Sequence, residues 1–214
     1  MVAALLVTAV PEAALAPAAA EEPPAWDGRA RPLPPKLRRR MTGVSWRPGC
    51  PVGLDDLVEL RMPYWRFDGT VRRGRMVVRD AQARKVLRVF RRLYAARFPI
   101  RRMRLIDAYG GDDDASMAAN NTSAFNCRRV AGTDRWSEHA YGRAIDINPV
   151  QNPYVRDSTV EPEAGRRYLD RDRVRRGMIV RPGPVVRAFA AVDWGWGGDW
   201  RSAKDYQHFS RTGR

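Results

Sequence analysis

The sequence predicts an α+β fold: a small antiparallel sheet with flanking helices, built as one domain. Three observations predict it. A hairpin pattern runs from Leu57 to Val78 around the turn pair Asp68-Gly69. One amphipathic helix follows, with Val86, Val89, Phe90, Leu93 and Tyr94 at helical spacing. Further strand-like and helix-like stretches come after it without a repeating βα period.

Residues 1–20 open on an apolar run, Met1 to Val10, and reach Ala18-Ala19-Ala20 ahead of Glu21, a small-residue pattern that suits signal-peptide cleavage. No Lys or Arg precedes the run and Pro11-Glu12 cuts it short, so an Ala/Pro-rich disordered tail is the other reading. Residues 21–42 hold Pro23-Pro24, Pro34-Pro35 and Arg38-Arg39-Arg40. That composition predicts a semi-extended cationic linker, and the folded domain is expected over 43–214.

Within the domain, Leu57 to Phe67 and Thr70 to Val78 read as paired strands. Asp80 suits a helix N-cap, and Pro99 ends the helix that follows. Met103 to Ile106 reads as a buried strand, and Gly110 to Asp114 as a solvated loop. Its three aspartates lack the spacing of an EF-hand calcium loop. A helical turn is expected from Ser116 and a strand over Ala124 to Arg129. Asn120-Asn121-Thr122 matches a glycosylation sequon. On a strand from Ala144 to Asn148, Ile145 and Ile147 point to one face and Asp146 to the other, so the apolar side chains anchor the strand while the carboxylate faces a cleft. Pro184 to Val192 reads as a helix, Trp194 to Trp200 as an aromatic loop, and Asp205 to Phe209 as the last strand.

The net charge of +15 is carried almost wholly by arginine, since Lys36, Lys85 and Lys204 are the only lysines. Such a balance attracts polyanions, among them anionic cell-wall polymers. The arginines are scattered and no DNA- or RNA-recognition motif appears, so nucleic acid is not expected as a partner. No transmembrane segment is expected. Cys50 and Cys127 form no C-x-x-C pair; in an oxidising compartment they pair as a disulfide, and otherwise they are two separate buried thiols. The protein is expected to be monomeric.

The chain has only two histidines, and each stands near a carboxylate. His139 precedes Asp146 in Ser137-Glu138-His139-Ala140-Tyr141-Gly142-Arg143-Ala144-Ile145-Asp146, and His208 follows Asp205 in Asp205-Tyr206-Gln207-His208. Two imidazoles and one carboxylate supply the three protein ligands of a catalytic zinc site. That leaves Asp205 as the spare carboxylate and candidate general base. On a flat strand, residues three apart face opposite sides, so Asp205 needs a loop or bulge to share a cleft with His208.

The string Ser137-x-His139-x-x-Gly142-x-Ala144-x-Asp146, followed by Asp205-x-x-His208, resembles the zinc D-alanyl-D-alanine peptidase family. That family includes D-alanyl-D-alanine carboxypeptidases and phage L-alanyl-D-glutamate endopeptidases, and the aspartate base looks most like the phage branch. The resemblance runs from about Trp46 to Phe209. It implies a compact α+β fold shared with hedgehog signalling domains. It also implies Zn²⁺ on His139, Asp146 and His208, Asp205 as base, and a peptidoglycan stem peptide as substrate in a secreted or wall-associated protein. Many members carry Asp-x-Tyr-Arg upstream, but here Asp107-Ala108-Tyr109 is followed by Gly110. The arginine that meets developing negative charge or a substrate carboxylate is therefore sought at Arg128, with Arg129 as competitor. Ser137 is expected to orient His139, to touch substrate or to cap a helix. The alternative to catalysis is a cell-wall binding module that holds zinc structurally.

Overall fold

The computed structural model describes residues 24–214, so the expected signal peptide or tail over 1–20 lies outside the described residues. The hairpin forms as expected. Strands β2 (Leu57–Trp65) and β3 (Val71–Arg79) pair antiparallel over their whole length. A further strand, β1 (Arg29–Pro32), joins the outer edge of β2.

That strand corrects the linker expectation for 21–42. Its described part is folded: β1 leads into helix α1 (Pro35–Met41), which proline opens at its first turn. Leu33, Leu37 and Met41 recur every four residues and are buried against Val52, Leu57, Val77, Leu105, Phe125 and Cys127. The Pro- and Arg-rich composition belongs to the outward side, and three apolar residues at helical spacing suffice to dock the segment. The described chain is packed on the domain well before residue 43: Trp26 lies against the core and Asp27 pairs with Arg73 at 2.6 Å.

Helix α2 (Asp80–Ala95) follows β3 directly and buries Val86, Val89, Phe90 and Leu93. These side chains meet Val58, Leu60, Met62 and Tyr64 from one face of the hairpin sheet. Strand β4 (Arg102–Met103) is shorter than expected, because the chain turns into a 3-10 helix at Ile106–Tyr109. Asp112 then caps helix α3 (Asp113–Ala118) by accepting from the N–H of Ala115 (3.0 Å), so the acidic run starts a helix instead of a solvated loop. Strand β5 (Asn121–Thr122) pairs parallel with β4. The sequon is buried here, with Asn120 8 % exposed and Asn121 and Thr122 fully enclosed, which closes it to modification in the folded protein.

Strand β6 (Ala144–Asp146) is followed by the hairpin β7 (Tyr154–Arg156) and β8 (Thr159–Glu161), helix α4 (Pro184–Ala190) and strand β9 (Gly195–Trp196). The expected last strand is two strands: β10 (Lys204–Asp205) and β11 (His208–Ser210). They join different sheets, in the orders β10-β7-β8 and β6-β11-β9. Small antiparallel sheets with helices packed on them make this an α+β domain. No helix among the described residues is long and apolar enough to cross a membrane.

Two features outside the cleft hold the frame. Cys50 and Cys127 are disulfide-bonded across 77 residues. Closing a loop of that length stabilises the fold by about 4–5 kcal/mol in the chain-entropy model. Reduction is expected to lower the unfolding free energy by roughly that amount, read from denaturant midpoints with and without reductant.

Glu59 is fully buried on the hairpin sheet beneath Arg31, Arg61 and Arg75, all of which bond its carboxylate. Burial alone would push its pKa up, but the hydrogen bonds and charge of Arg75, Arg31 and Arg61 outweigh it and hold the carboxyl below its ordinary value. Glu59→Ala is expected to destabilise by about 2–3 kcal/mol, less than a fully buried pair because the arginines stay partly in water. Urea unfolding of the variant measures it.

Candidate metal centre

The register of the β6–β11 ladder builds the site. Asp146 stands directly opposite His208, Ile145 opposite Phe209 and Ala144 opposite Ser210. Opposed residues project to the same face. Ile145 and Phe209 therefore enter the core together, fully buried, while Asp146 and His208 meet on the other face. The alternation in the sequence placed Asp146 correctly.

His139 arrives from a 3-10 helix, Glu138–Tyr141. Ser137 caps it, its Oγ accepting from the His139 N–H at 3.3 Å. Ser137 thus caps the helix that carries His139, and it is buried, 6 % exposed. Gly142 ends the helix in the left-handed region (φ 63°) and turns the chain into β6. A Cβ at this position would stand 2.6 Å from the backbone nitrogen of Arg79, so the close approach to β3 also requires glycine.

The donor atoms of His139, Asp146 and His208 all lie within 4.8 Å of one another. His139 Nε2 is 3.0 Å from Asp146 Oδ2 and 3.3 Å from His208 Nδ1, and His208 Nδ1 is 3.0 Å from Asp146 Oδ1. All three residues are buried. The remaining ring nitrogens are tied down by main-chain oxygens. His139 Nδ1–H donates to Ala124 O (2.6 Å) and His208 Nε2–H to Arg214 O (3.1 Å). Each tie leaves the inward nitrogen as the lone-pair donor. Two oriented imidazoles and a carboxylate, brought together out of solvent, are a donor set that fits a divalent metal.

Charge couples these groups. Burial would pull His208 down, but the hydrogen bond and charge of Asp146, then the charge of Asp205, outweigh it and raise the imidazole to about 9. Burial would raise Asp146, yet the two histidines hold it well below the carboxylate range. Without a metal, the carboxylate and the protonated His208 form a buried ion pair.

Asp205 reaches the cleft by the break between β10 and β11. The residues between the strands, Tyr206 and Gln207, turn the chain, so the spacing of three is not measured along one flat strand. A Cβ placed on Gly197 would be 2.8 Å from Asp205 Cβ and 3.2 Å from His208 Cβ, so those two atoms lie within about 6 Å of each other. Asp205 Oδ1 is buried and has no hydrogen-bond partner among the described residues. Burial above all, helped by the charge of Asp146 and opposed by His208, His139 and Arg128, pushes its carboxyl up to about 7.

Arg128 is one-third exposed. Its Nη2 donates to Asp113 Oδ2 at 2.6 Å, and its Nε–H is buried without a partner. Sequence reasoning missed Asp113 as this partner, since a run of three aspartates resembles a solvated loop. Arg129 is engaged elsewhere: its guanidinium stacks on Trp136 (3.7 Å) and bonds Asp134 O. Of the aromatic loop, Trp194 and Trp196 are core, while the Trp200 ring lies 5.3 Å from that of His208.

Residues 131–211 match a family model described as D-alanyl-D-alanine carboxypeptidase. The matched stretch contains His139, Asp146, Asp205 and His208. No curated protein and no solved structure matches the chain. Residues 131–211 thus carry a domain match to the D-alanyl-D-alanine carboxypeptidase family, and the three buried side chains that could hold its metal lie inside it.

Proposed function

We propose that the protein is a zinc-dependent peptidase that hydrolyses peptide bonds in peptidoglycan stem peptides. The observation that carries the reading is the buried convergence of His139, Asp146 and His208 next to a carboxylate, Asp205, whose inner oxygen has no partner. A purely structural metal site has no use for a fourth, unbonded carboxylate, which favours catalysis over the binding-module alternative. Bound Zn²⁺ supplies Lewis acidity toward water and the scissile carbonyl, and its charge keeps Asp205 ionised.

The chain's own groups divide the remaining work. His139, Asp146 and His208 would hold the metal, with Ala124 O and Arg214 O fixing the two rings and Ser137 holding the main chain at His139. Asp205 Oδ1 takes a proton from the attacking water and returns it to the leaving amine nitrogen. Arg128 meets the negative charge that develops on the carbonyl oxygen, or a carboxylate of the stem peptide, through its unpartnered Nε–H. Asp113 positions that guanidinium. The aspartate base favours the endopeptidase branch of the family. The disulfide supports an extracytoplasmic, secreted or wall-associated location, and the positive charge suits residence in an anionic wall.

The test is a muropeptide digest read by mass spectrometry, with zinc-loaded, chelated and zinc-restored protein. A cut after L-Ala that disappears with chelator and returns with zinc is expected; loss of a single D-Ala would assign carboxypeptidase activity. Intact muropeptides in every arm would leave the binding module as the better reading.

A further inference from the structure

The proposed proton carrier and the candidate metal ligands stand on different sheets. Asp205 lies on β10, paired with β7, whereas Asp146 and His208 lie on β6 and β11. A misplacement of about 1 Å costs on the order of 10²-fold in rate, so a base on one sheet needs a firm tie to the other. Tyr206, the residue after Asp205, receives that tie. Its N–H donates to Pro153 O (3.3 Å), and its carbonyl accepts from Trp196 Nε1–H (2.9 Å). The guanidinium of Arg171 covers its ring, 4.3 Å from the centroid.

We propose that Arg171 is a positioning residue that sets Asp205 against the ligand cluster, acting through the ring of Tyr206. The inference rests on Asp205 as the proposed proton carrier. Arg171 Nη1 donates to Gln151 O (2.9 Å) and Tyr168 O (3.1 Å), and Nη2 to Asn152 Oδ1 (3.2 Å) and Ile179 O (2.7 Å). Asn152 carries the connection on to β6. Fully buried, it gives Nδ2 to Ile147 O (3.1 Å), one residue beyond Asp146, and to Asn148 O (3.2 Å) and Gly177 O (3.0 Å). One side chain thus spans from the exit of the ligand strand to the neighbour of Asp205.

The chemistry of the group points the same way. All four of its acceptors are neutral, and no carboxylate meets the guanidinium among the described residues. Its Nε–H is buried without a partner, and burial lowers its pKa from the ordinary arginine value. A buried cation without a counter-charge destabilises, and a well-packed apolar residue would fill the same space at less cost. An apolar residue lacks the planar fork, which reaches acceptors from three segments at once and lays a charged face on an aromatic ring. A lysine ammonium has the charge without the fork.

Full-length protein loaded with Co²⁺ tests the role without depending on turnover, because the pH midpoint of the visible cobalt band responds to an anion held beside the metal. The variants are Arg171→Met, Arg171→Lys, Tyr206→Leu and Tyr206→Phe. Asp205→Asn is the reference, and Arg173→Gln, exposed in the same loop, is the control. Asp205→Asn is expected to lower the midpoint by about half a unit or more, since a neighbouring anion opposes loss of a proton. Arg171→Met, Arg171→Lys and Tyr206→Leu should move it the same way at unchanged cobalt content. Tyr206→Phe, which keeps the ring, and Arg173→Gln should stay at the wild-type value. Tyr206→Leu leaves the Arg171 donors in place, so the test stands even where Arg171→Met fails to fold. With zinc, the three shifted variants should lose about 10–100-fold in kcat on a stem peptide, with KM changed less than about twofold. A lowered melting temperature with midpoint and kcat unmoved would make Arg171 a structural anchor only and overturn the proposal. Arg171→Lys at the wild-type midpoint would overturn it too, by leaving charge alone as sufficient. An Asp205→Asn protein with an unmoved midpoint would remove the base, and the positioning role with it. Midpoint shifts in a protein that cuts no stem peptide would uphold the placement of Asp205 and reject only the substrate reading.

Discussion

Asp205→Asn is expected to lower kcat for stem-peptide hydrolysis by about 10²–10⁴, the range general acid–base catalysis supplies. Zinc stoichiometry should stay at one per chain, because Asp205 lies outside the set of converging donors. The fold should hold as well. The carboxyl is buried with one oxygen unpaired and pushed up to about 7, so an ionised Asp205 is an expense to the metal-free protein. An amide removes that charge at nearly constant volume. The checks are steady-state kinetics on a synthetic stem peptide, metal analysis and thermal unfolding. A variant that keeps wild-type kcat with full zinc would exclude Asp205 as the proton carrier. A variant that loses zinc would make it a ligand instead.

Asp146→Asn is expected to produce the second large effect, on metal and on pH dependence together. If Asp146 is the one anionic ligand, as proposed, its loss should weaken zinc binding by more than the about 10–100-fold typical of outer-shell changes. The metal-free protein should respond as well. His208, raised to about 9 by Asp146, contributes stability that is complete below its unfolded value near 6.5 and lost as pH rises toward 9. Asp205, raised to about 7, binds its proton more tightly folded than unfolded, so it too makes stability fall with rising pH, between about 4 and 7. Asp146, held low, contributes stability above about 3.8 that is lost in stronger acid. Metal-free wild type should therefore be most stable near about pH 4 and weaken steadily toward pH 9.

Zinc reverses that slope. It must displace the His208 proton, so its apparent affinity should rise up to tenfold per pH unit until about pH 9. In Asp146→Asn the proton on His208 loses its partner and burial pulls the imidazole down, so the high-pH decline in metal-free stability should flatten. Melting curves of chelated protein from pH 4 to 9, with zinc titrations in the same buffers, measure both. A melting profile of wild-type metal-free protein that rises from pH 6 to 9 would contradict the buried ion pair.

The buried cluster of His139, Asp146 and His208, which could hold a metal, was the most legible part of the chain. Two histidines leave little choice of candidate donors, and the alternation Ile145-Asp146-Ile147 fixes which side chain leaves the core. The hairpin and helix α2 were legible for the same reason: their apolar periods are long and bounded by turn residues. The folded segment 29–41 was not. Its outward Pro and Arg residues dominate the composition, and the three residues that dock it are buried only because β2, β3 and Phe125 provide a surface. The separation of β10 from β11 was also hidden, since Asp205 to Phe209 has no glycine or proline to mark a break. The partners Asp113 for Arg128 and Arg214 O for His208 are tertiary contacts between distant or irregular segments, and no local pattern announces them.

The division between β10 and β11 has an engineering consequence. Asp205 hangs from the β7–β8 hairpin, whereas Asp146 and His208 share the other sheet. Grafting a hairpin of different length or sequence between Asn152 and Gly183 would tilt Asp205, the proposed proton carrier, relative to the undisturbed cluster of Asp146 and His208. If the proposed peptidase reading holds, reactivity then becomes adjustable through a single replaceable module, with metal occupancy as an internal control that the cluster survived.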